Sequence, residues 1–242
     1  MRIALAQARA VAGDVEANVR NHLRLAQAAL AQSARLVVFP ELSITGYEPA
    51  LCREAALLPG DRRLDAFQRQ SDASGATLAV GAPTKTEDKP RISLVVFQPK
   101  APRTVYSKHY LHADEEPFFS PGPRAPGIVG TAPRVGLAIC YELSVPAHAE
   151  ATFRQGADLY LASVANTQKG VETAGARLSA LARQFEAPAL MVNCIGLCDR
   201  FTCTGGSAVW RAAGERLAQL AADREGLLVF DTAAGAAFAV EA

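Results

Sequence analysis

The sequence lacks a long hydrophobic run, a charge excess of either sign, and abundant lysine. No apolar segment approaches the roughly 18 residues that a membrane helix requires, so no membrane-spanning function is expected. The 25 basic and 24 acidic residues give a formal net charge of +1, which argues against nucleic-acid binding. Lysines are scarce beside arginines, so each lysine is a candidate functional group, although most are expected at the surface; they are Lys85, Lys89, Lys100, Lys108 and Lys169.

A secretory signal and a disulfide framework are also missing. The apolar run from Met1 to Ala8 is short and is interrupted by Gln7, whereas a signal peptide needs a longer uninterrupted apolar region. The five cysteines are odd in number, and a chain of this length can build a core without disulfides. We therefore predict a cytoplasmic protein with reduced thiols.

What is present is an alternation of apolar strand-like runs and amphipathic segments, which predicts an α/β fold in a single domain, residues 1–242. Buried strands are expected at 2–8, 36–40, 77–82, 135–139, 159–164 and 189–194, and hairpin strands at 92–97, 103–106, 207–211 and 227–231. Helices are expected at 14–30, 62–74, 145–155 and 174–185. Residues 112–134 are rich in Pro and Gly and lack periodicity, which is typical of a functional loop.

Three reactive side chains follow predicted strands, namely Glu41, Lys108 and Cys140. Sites in α/β sheets gather at the carboxyl ends of strands. A carboxylate there can take a thiol's proton, and an ammonium group can stabilise both the thiolate and an oxyanion. Spacing alone leaves a simpler interpretation open, with a cysteine in the core, a turn carboxylate and a surface lysine.

Three segments resemble the signatures of the nitrilase superfamily, the carbon–nitrogen hydrolases. They are residues 39–47 (FPELSITGY), 106–111 (YSKHYL) and 136–142 (GLAICYE), in the family's order and at its usual separations. Weaker similarities extend the resemblance over about residues 1 to 232.

This resemblance implies a four-layer α-β-β-α sandwich. It also implies that Glu41 is a general base, that Lys108 stabilises the tetrahedral intermediate, and that Cys140 is the nucleophile of a thioester intermediate. No metal or organic cofactor is implied. A homodimer or higher homo-oligomer is expected, with a small-molecule amide as the partner.

The same resemblance adds one acid and several pocket residues. In DEEPFFSPG, counting back from Gly122 aligns Glu115 with an acid that positions the substrate and the lysine. Substrate-binding roles are expected for Tyr47, Tyr141, Val164 and Asn166. Glu142 and Ser144 depart from the family's usual Asp and Arg after the cysteine, so the substrate of well-known relatives cannot be transferred.

Other reactive residues suggest competing sites. The spacing Cys194-x3-Cys198-x4-Cys203 does not match common zinc pairs, and no His is close in sequence, so a buried or redox-sensitive thiol cluster is expected rather than a metal site. A papain-like pair of Cys140 with His148 is disfavoured because both lie near one predicted helix, eight residues apart.

The sequence therefore predicts a hydrolase that cleaves a non-peptide C–N bond of a small linear amide through a Cys140 thioester. Hydrolysis of N-carbamoyl amines or of nitriles is the alternative within the family. A catalytically silent, nitrilase-like binding protein is the alternative of another class, and the intact set of Glu41, Lys108 and Cys140 argues against it.

Overall fold

The computed structural model describes residues 1–58 and 60–241, so the predicted domain extends one residue beyond it. Two β-sheets pack face to face, and helices cover their outer faces. The α-helices are Val15–Ala31 (α1), Cys52–Ala55 (α2), Asp65–Ser74 (α3), Pro146–Arg154 (α4) and Gln168–Phe185 (α5). None of the helices in the described ranges is long and apolar enough to cross a membrane.

The first sheet contains seven strands of the described chain, with parallel strands at its centre and antiparallel pairing at both edges. In spatial order they are Ala236–Val240 (β15), Gly226–Asp231 (β14), Arg2–Gln7 (β1), Ala34–Val38 (β2), Thr77–Thr84 (β3), Arg91–Phe97 (β4) and Thr104–Ser107 (β5). The central strands β1, β2 and β3 run parallel, with antiparallel strands on both sides. The carboxyl ends of the parallel strands therefore meet at one edge.

The second sheet repeats this plan with six strands of the described residues. They are Arg216–Gln219 (β13), Ala208–Trp210 (β12), Ala189–Asn193 (β9), Leu159–Val164 (β8), Val135–Ile139 (β7) and Gly127–Val129 (β6). Strands β7, β8 and β9 are parallel. A separate hairpin, Ile195–Cys198 (β10) with Phe201–Thr204 (β11), follows β9.

Alternation along each strand divides the core into three apolar layers. Ile3 and Leu5 of β1 pack with Leu137 and Ile139 of β7 between the sheets. Ala4 and its neighbours face the helices α1 and α3, and the outer face of the second sheet packs on α4 and α5. This arrangement confirms the predicted α-β-β-α sandwich.

Most predicted strands lie close to their observed bounds. Pro146 begins α4, and the segment before α3 is a 3₁₀ turn, Arg62–Leu64, so both helices are shorter than predicted. Helix α5 begins at Gln168, six residues before its predicted start at residue 174. The strands predicted at 207–211 and 227–231 belong to different sheets, as β12 and β14, rather than to one hairpin. The short strands β6, β10, β11, β13 and β15 were not predicted, because they lack a regular apolar pattern.

Candidate active site

Glu41 lies directly beyond β2, in a loop pressed against β3. Gly81 of β3 permits this approach, because a Cβ at that position would lie 2.1 Å from the Pro40 carbonyl oxygen. The chain then turns through Leu42 at a φ of 52°, a left-handed conformation that is uncommon for a bulky residue. The loop thereby directs the Glu41 carboxylate into the space between the sheets, where its side chain is fully buried.

Lys108 follows β5 and is fully buried, although it is charged. Its backbone N–H donates to the Ile92 carbonyl at 2.8 Å, which extends the β4–β5 pairing by one residue. Its Nζ lies 2.8 Å from Oε1 of Glu41 and 2.6 Å from Oε1 of Glu115. Two carboxylates therefore compensate one buried ammonium group.

Glu115 comes from the Pro- and Gly-rich segment predicted to be a functional loop. Its Oε2 accepts the His112 backbone N–H at 2.8 Å, and its Oε1 accepts the Tyr47 hydroxyl at 3.1 Å. Since Oε1 also contacts Lys108, Glu115 links Tyr47 to the buried lysine.

Cys140 stands at the end of β7, at the first position of the 3₁₀ turn Cys140–Ser144. Its φ of 44° lies in the left-handed region, and such strain in a non-glycine residue is common at functional sites. The backbone N–H of Ala165 lies near enough to the sulfur to favour its ionised form, and the Sγ lies 3.8 Å from Oδ1 of Asn166. Unlike Glu41 and Lys108, the Cys140 side chain is partly exposed.

The charges of these groups are strongly coupled. Burial raises the pKa of Glu41 to about 7, against the opposing effect of Lys108. Burial also raises the pKa of the Cys140 thiol well above its ordinary value, and the nearby Glu41 carboxylate acts in the same direction. Burial works to lower the pKa of Lys108, but Glu41, Cys140 and Glu115 outweigh it and raise that pKa. At neutral pH the resting site therefore holds the Lys108 ammonium group and the protonated Cys140 thiol. The pKa of the Glu41 carboxylate is close to the surrounding pH.

A pocket of ≈ 450 Å³ opens above Cys140. Tyr47, Tyr141 and Asn166, three of the residues predicted to bind substrate, lie in its lining. Val164 does not, since it is fully buried and faces the helix layer. The alternation of β8 explains this correction, because Ser163 faces the first sheet and donates to the Phe39 carbonyl at 2.9 Å.

The backbone beside the pocket is fixed by a pair of asparagines. Asn166 N–H donates to Oδ1 of Asn193 at 2.8 Å, and Nδ2 of Asn193 donates back to the Asn166 carbonyl at 3.0 Å. Asn193 is completely buried at the end of β9. This pairing holds the turn that presents Ala165 N–H to Cys140.

Glu142, one of the departures from the family pattern, does not line the pocket. Its carboxylate links neighbouring segments through hydrogen bonds. It is fully buried and accepts the Tyr106 hydroxyl at 2.5 Å, the His109 N–H at 2.7 Å and the Ile139 N–H at 2.9 Å. It therefore joins the strand before Cys140 to the segment that carries Lys108.

The pocket also contains cations that were not predicted to have a role. Arg177 and Lys169 of α5 line its outer part, and the Arg177 guanidinium donates to the Ser144 hydroxyl. A guanidinium group thus lies beside position 144, where many family members carry an arginine of their own. The period of α5 places Lys169 and Arg177 near the same face, but only the fold shows that this face meets Cys140.

The competing sites lie elsewhere. His148 on α4 contacts the hydroxyls of Tyr106 and Tyr160, each at 2.8 Å, and does not line the pocket. His148 is therefore not paired with Cys140 in the described part of the chain.

Comparison with known proteins agrees with this geometry. Residues 2–237 match the family model described as carbon-nitrogen hydrolase. The chain belongs to the carbon–nitrogen hydrolase family. The resemblance noted from its sequence motifs is therefore confirmed.

Individual relatives include amidases. The chain is 29% identical over 203 residues to an (R)-stereoselective amidase of a Pseudomonas species, covering 82% of this chain and 73% of that one. It is 26% identical over 226 residues to a glutamine-dependent NAD(+) synthetase of Thermotoga maritima, covering 89% of this chain. It spans only 39% of that synthetase's length.

Solved structures show the same fold. An amidase from Nesterenkonia sp. AN1 has a TM-score of 0.86 with 26% identity, covering 96% of this chain and 92% of that chain. In that variant of the Nesterenkonia amidase, acrylamide is added to the active-site cysteine.

Proposed function

We propose that this protein is an amidase that hydrolyses small linear amides, with Cys140 as its nucleophile. The observation that carries the proposal is the buried Lys108, which contacts Glu41 at 2.8 Å and Glu115 at 2.6 Å beside a cysteine that opens onto a pocket. The amidases among the relatives and solved structures support an amide as the substrate.

In the first half of the reaction, the Cys140 sulfur attacks the amide carbonyl carbon while Glu41 takes the thiol proton. The raised pKa of Cys140 implies that the proton moves as the substrate is attacked rather than beforehand. Lys108 lies beside Glu41, and the Ala165 N–H lies beside the Cys140 sulfur. Both groups stabilise the oxyanion that forms on the attacked carbonyl. Glu41 then protonates the leaving nitrogen, the C–N bond breaks, and a thioester remains.

In the second half, Glu41 removes a proton from a water molecule, which attacks the thioester carbonyl. The tetrahedral intermediate collapses with loss of the Cys140 sulfur, which recovers a proton from Glu41. The product is a carboxylic acid, and the resting site is restored. Glu115 acts by positioning, since it holds Lys108 on one side and receives the Tyr47 hydroxyl on the other.

The positive charge in the outer part of the pocket favours small amides that also carry a negative charge. Lys169 and Arg177 are exposed on α5 and line the pocket, whereas the acid of the lining, Glu115, is already paired with Lys108. A substrate with a carboxylate at the end opposite its amide therefore places that carboxylate near the positive charges of Lys169 and Arg177.

An ammonia-release screen over linear amides, N-carbamoyl amines and nitriles tests the proposal. We expect turnover of amides, loss of turnover in Cys140→Ala, and retention in Cys52→Ala, a matched change at a cysteine outside the pocket. Ammonia from nitriles alone, or from N-carbamoyl amines alone, would assign one of the alternative reactions. No turnover of any class would favour a silent binding protein.

We further propose that the protein works in the cytoplasm as a homodimer or higher homo-oligomer. All five cysteines are free, as is usual in a reducing compartment. Size-exclusion chromatography with light scattering gives the oligomeric state, and a mass equal to one chain of 25.5 kDa would reject the oligomer.

A further inference from the structure

Three cysteine thiols outside the proposed catalytic machinery meet in one cluster. Cys194 follows β9, Cys198 ends β10, and Cys203 lies in β11. The side chains are 2 to 4% exposed, and their three sulfurs all lie within 4.8 Å of one another. The sequence predicted a buried thiol cluster at these positions, and the hairpin brings the three sulfurs together.

The hairpin register explains how the thiols meet. Cys203 pairs with Gly196 across the two strands, and Cys194 and Cys198 stand two residues before and after Gly196 along the chain. Residues two apart point to the same face of a strand, so all three side chains are directed to one side. Gly196, at a φ of 96°, bends the strand between the two flanking cysteines.

The sulfur separations match a metal-bound set more closely than a disulfide. Thiolates at about 2.3 Å from a common Zn²⁺ lie about 3.8 to 4.0 Å apart. Cys194 Sγ and Cys198 Sγ are 3.8 Å apart, whereas a disulfide would require them to approach to about 2.05 Å. The third sulfur needs a shift of less than about 1 Å to complete a three-sulfur set.

The surroundings of the three sulfurs are largely apolar. Ala165, Tyr47 and Phe201 pack around the three cysteines, and Cys194 Sγ and Cys198 Sγ already lie within hydrogen-bonding distance of each other. A bound cation would replace the thiol protons in this buried position.

We propose that Cys194, Cys198 and Cys203 bind one thiophilic metal ion, of the class of Cd²⁺, Zn²⁺ or Cu⁺, through three thiolates. Binding releases the protons of the coordinating thiols to solvent and involves no redox change. A divalent ion retains an open position, since structural zinc sites usually have four ligands. The site is independent of the proposed amidase function, because none of its ligands belongs to the catalytic set.

Cd²⁺ titration of the reduced protein tests this site in a Cys140→Ala background, which removes the pocket thiol as a competing ligand. We expect one ion per chain by native mass spectrometry and a sulfur-to-cadmium charge-transfer band in the ultraviolet. Changing Cys194, Cys198 or Cys203 singly to Ser should weaken binding at least tenfold. Cys52→Ser, the matched control in the same background, should leave the affinity unchanged.

A second measurement tests the metal site without changing Cys194, Cys198 or Cys203. The ¹¹³Cd NMR shift of the loaded Cys140→Ala protein should lie in the range of sulfur-rich sites, and Cd²⁺ should protect three thiols from alkylation. A shift typical of oxygen or nitrogen ligands, no retained ion in the reduced and folded protein, or undiminished binding in folded single variants would each overturn the proposal. Circular dichroism identifies which variants are folded.

Discussion

Lys108 Nζ contacts one oxygen of Glu41 and leaves the other free. Oε1 lies 2.8 Å from Nζ, while Oε2 is buried without a hydrogen-bond partner among the described residues. An unsatisfied buried carboxylate oxygen is costly. The Cys140 thiol is near enough to alter the pKa of this carboxylate, so the free oxygen is available for the proton transfer that the proposed mechanism assigns to Glu41.

The first prediction is the pH dependence of amide hydrolysis. Glu41 must be ionised to accept a proton, and burial raises its pKa to about 7. We expect kcat/KM to rise with pH up to about 7 and then level off, since the pKa values of Cys140 and Lys108 are both raised. Stopped assays from pH 5 to 9 measure the profile.

Glu41→Gln provides the control for this profile. It should lower kcat/KM by about 10² to 10⁴ and remove the limb near pH 7. An unchanged limb in the variant would assign the limb to another group, and a wild-type rate that is flat between pH 5 and 8 would contradict the raised pKa of Glu41.

A second prediction concerns stability. Lys108→Met leaves Glu41 and Glu115 as buried carboxylates without their shared cation. Breaking a buried ion pair typically costs about 3 to 5 kcal/mol, so urea denaturation at pH 8 should show a loss of this order. The loss should shrink toward pH 5, because Glu41, whose pKa is already raised to about 7 by burial, is then protonated. Lys85→Met, at an exposed lysine, should change the free energy of unfolding little.

The sequence was most informative where the signal was local. Strand runs ending at Glu41 and Cys140 predicted that these residues would lie at a sheet edge, and the motif order predicted their association with Lys108. Glu115 was found by counting within one loop. In each case the short stretch of sequence that identifies the residue also determines the backbone conformation that positions it.

The remaining features depend on contacts between distant segments. Arg177 meets Ser144 across 33 residues, and no periodicity in α5 distinguishes that contact from exposure to solvent. Val164 was assigned to the pocket because the family resemblance places pocket residues at this strand end, but the pleat of β8 turns its side chain toward the helices. A buried thiol cluster was predicted, but the direction of its three side chains depends on the β10–β11 register, which a spacing of three and four residues does not encode.

A third prediction tests Glu142 as a positioning residue. Shortening it by one methylene in Glu142→Asp should prevent simultaneous contact with Tyr106, His109 and Ile139. We expect kcat to fall roughly tenfold with KM nearly unchanged, since the residue lies outside the pocket. Glu142→Gln keeps the length and should retain more activity than the shortened variant. Equal kcat values for the Glu142→Asp and wild-type enzymes would exclude this role.

A fourth prediction concerns Tyr47, whose hydroxyl donates to Glu115 at 3.1 Å. Tyr47→Phe keeps the ring packed against Phe201 but removes that hydrogen bond. A hydrogen bond to a charged group contributes about 1.5 to 3 kcal/mol, so a loss of kcat/KM of about ten- to a hundredfold is expected. Steady-state kinetics measure it, and a melting temperature close to wild type would separate this effect from unfolding.

The final prediction tests charge selection in the outer pocket. Arg177→Ala removes a guanidinium group that lines the pocket above Cys140. For amides with a distal carboxylate, we expect KM to rise roughly tenfold, equivalent to about 1.4 kcal/mol, whereas neutral amides of the same length should be affected much less. Arg183→Ala, on the same helix but outside the pocket lining, is the matched control. If both substrate classes lose activity equally, Arg177 supports the Cys140–Ser144 turn through Ser144 rather than selecting charge.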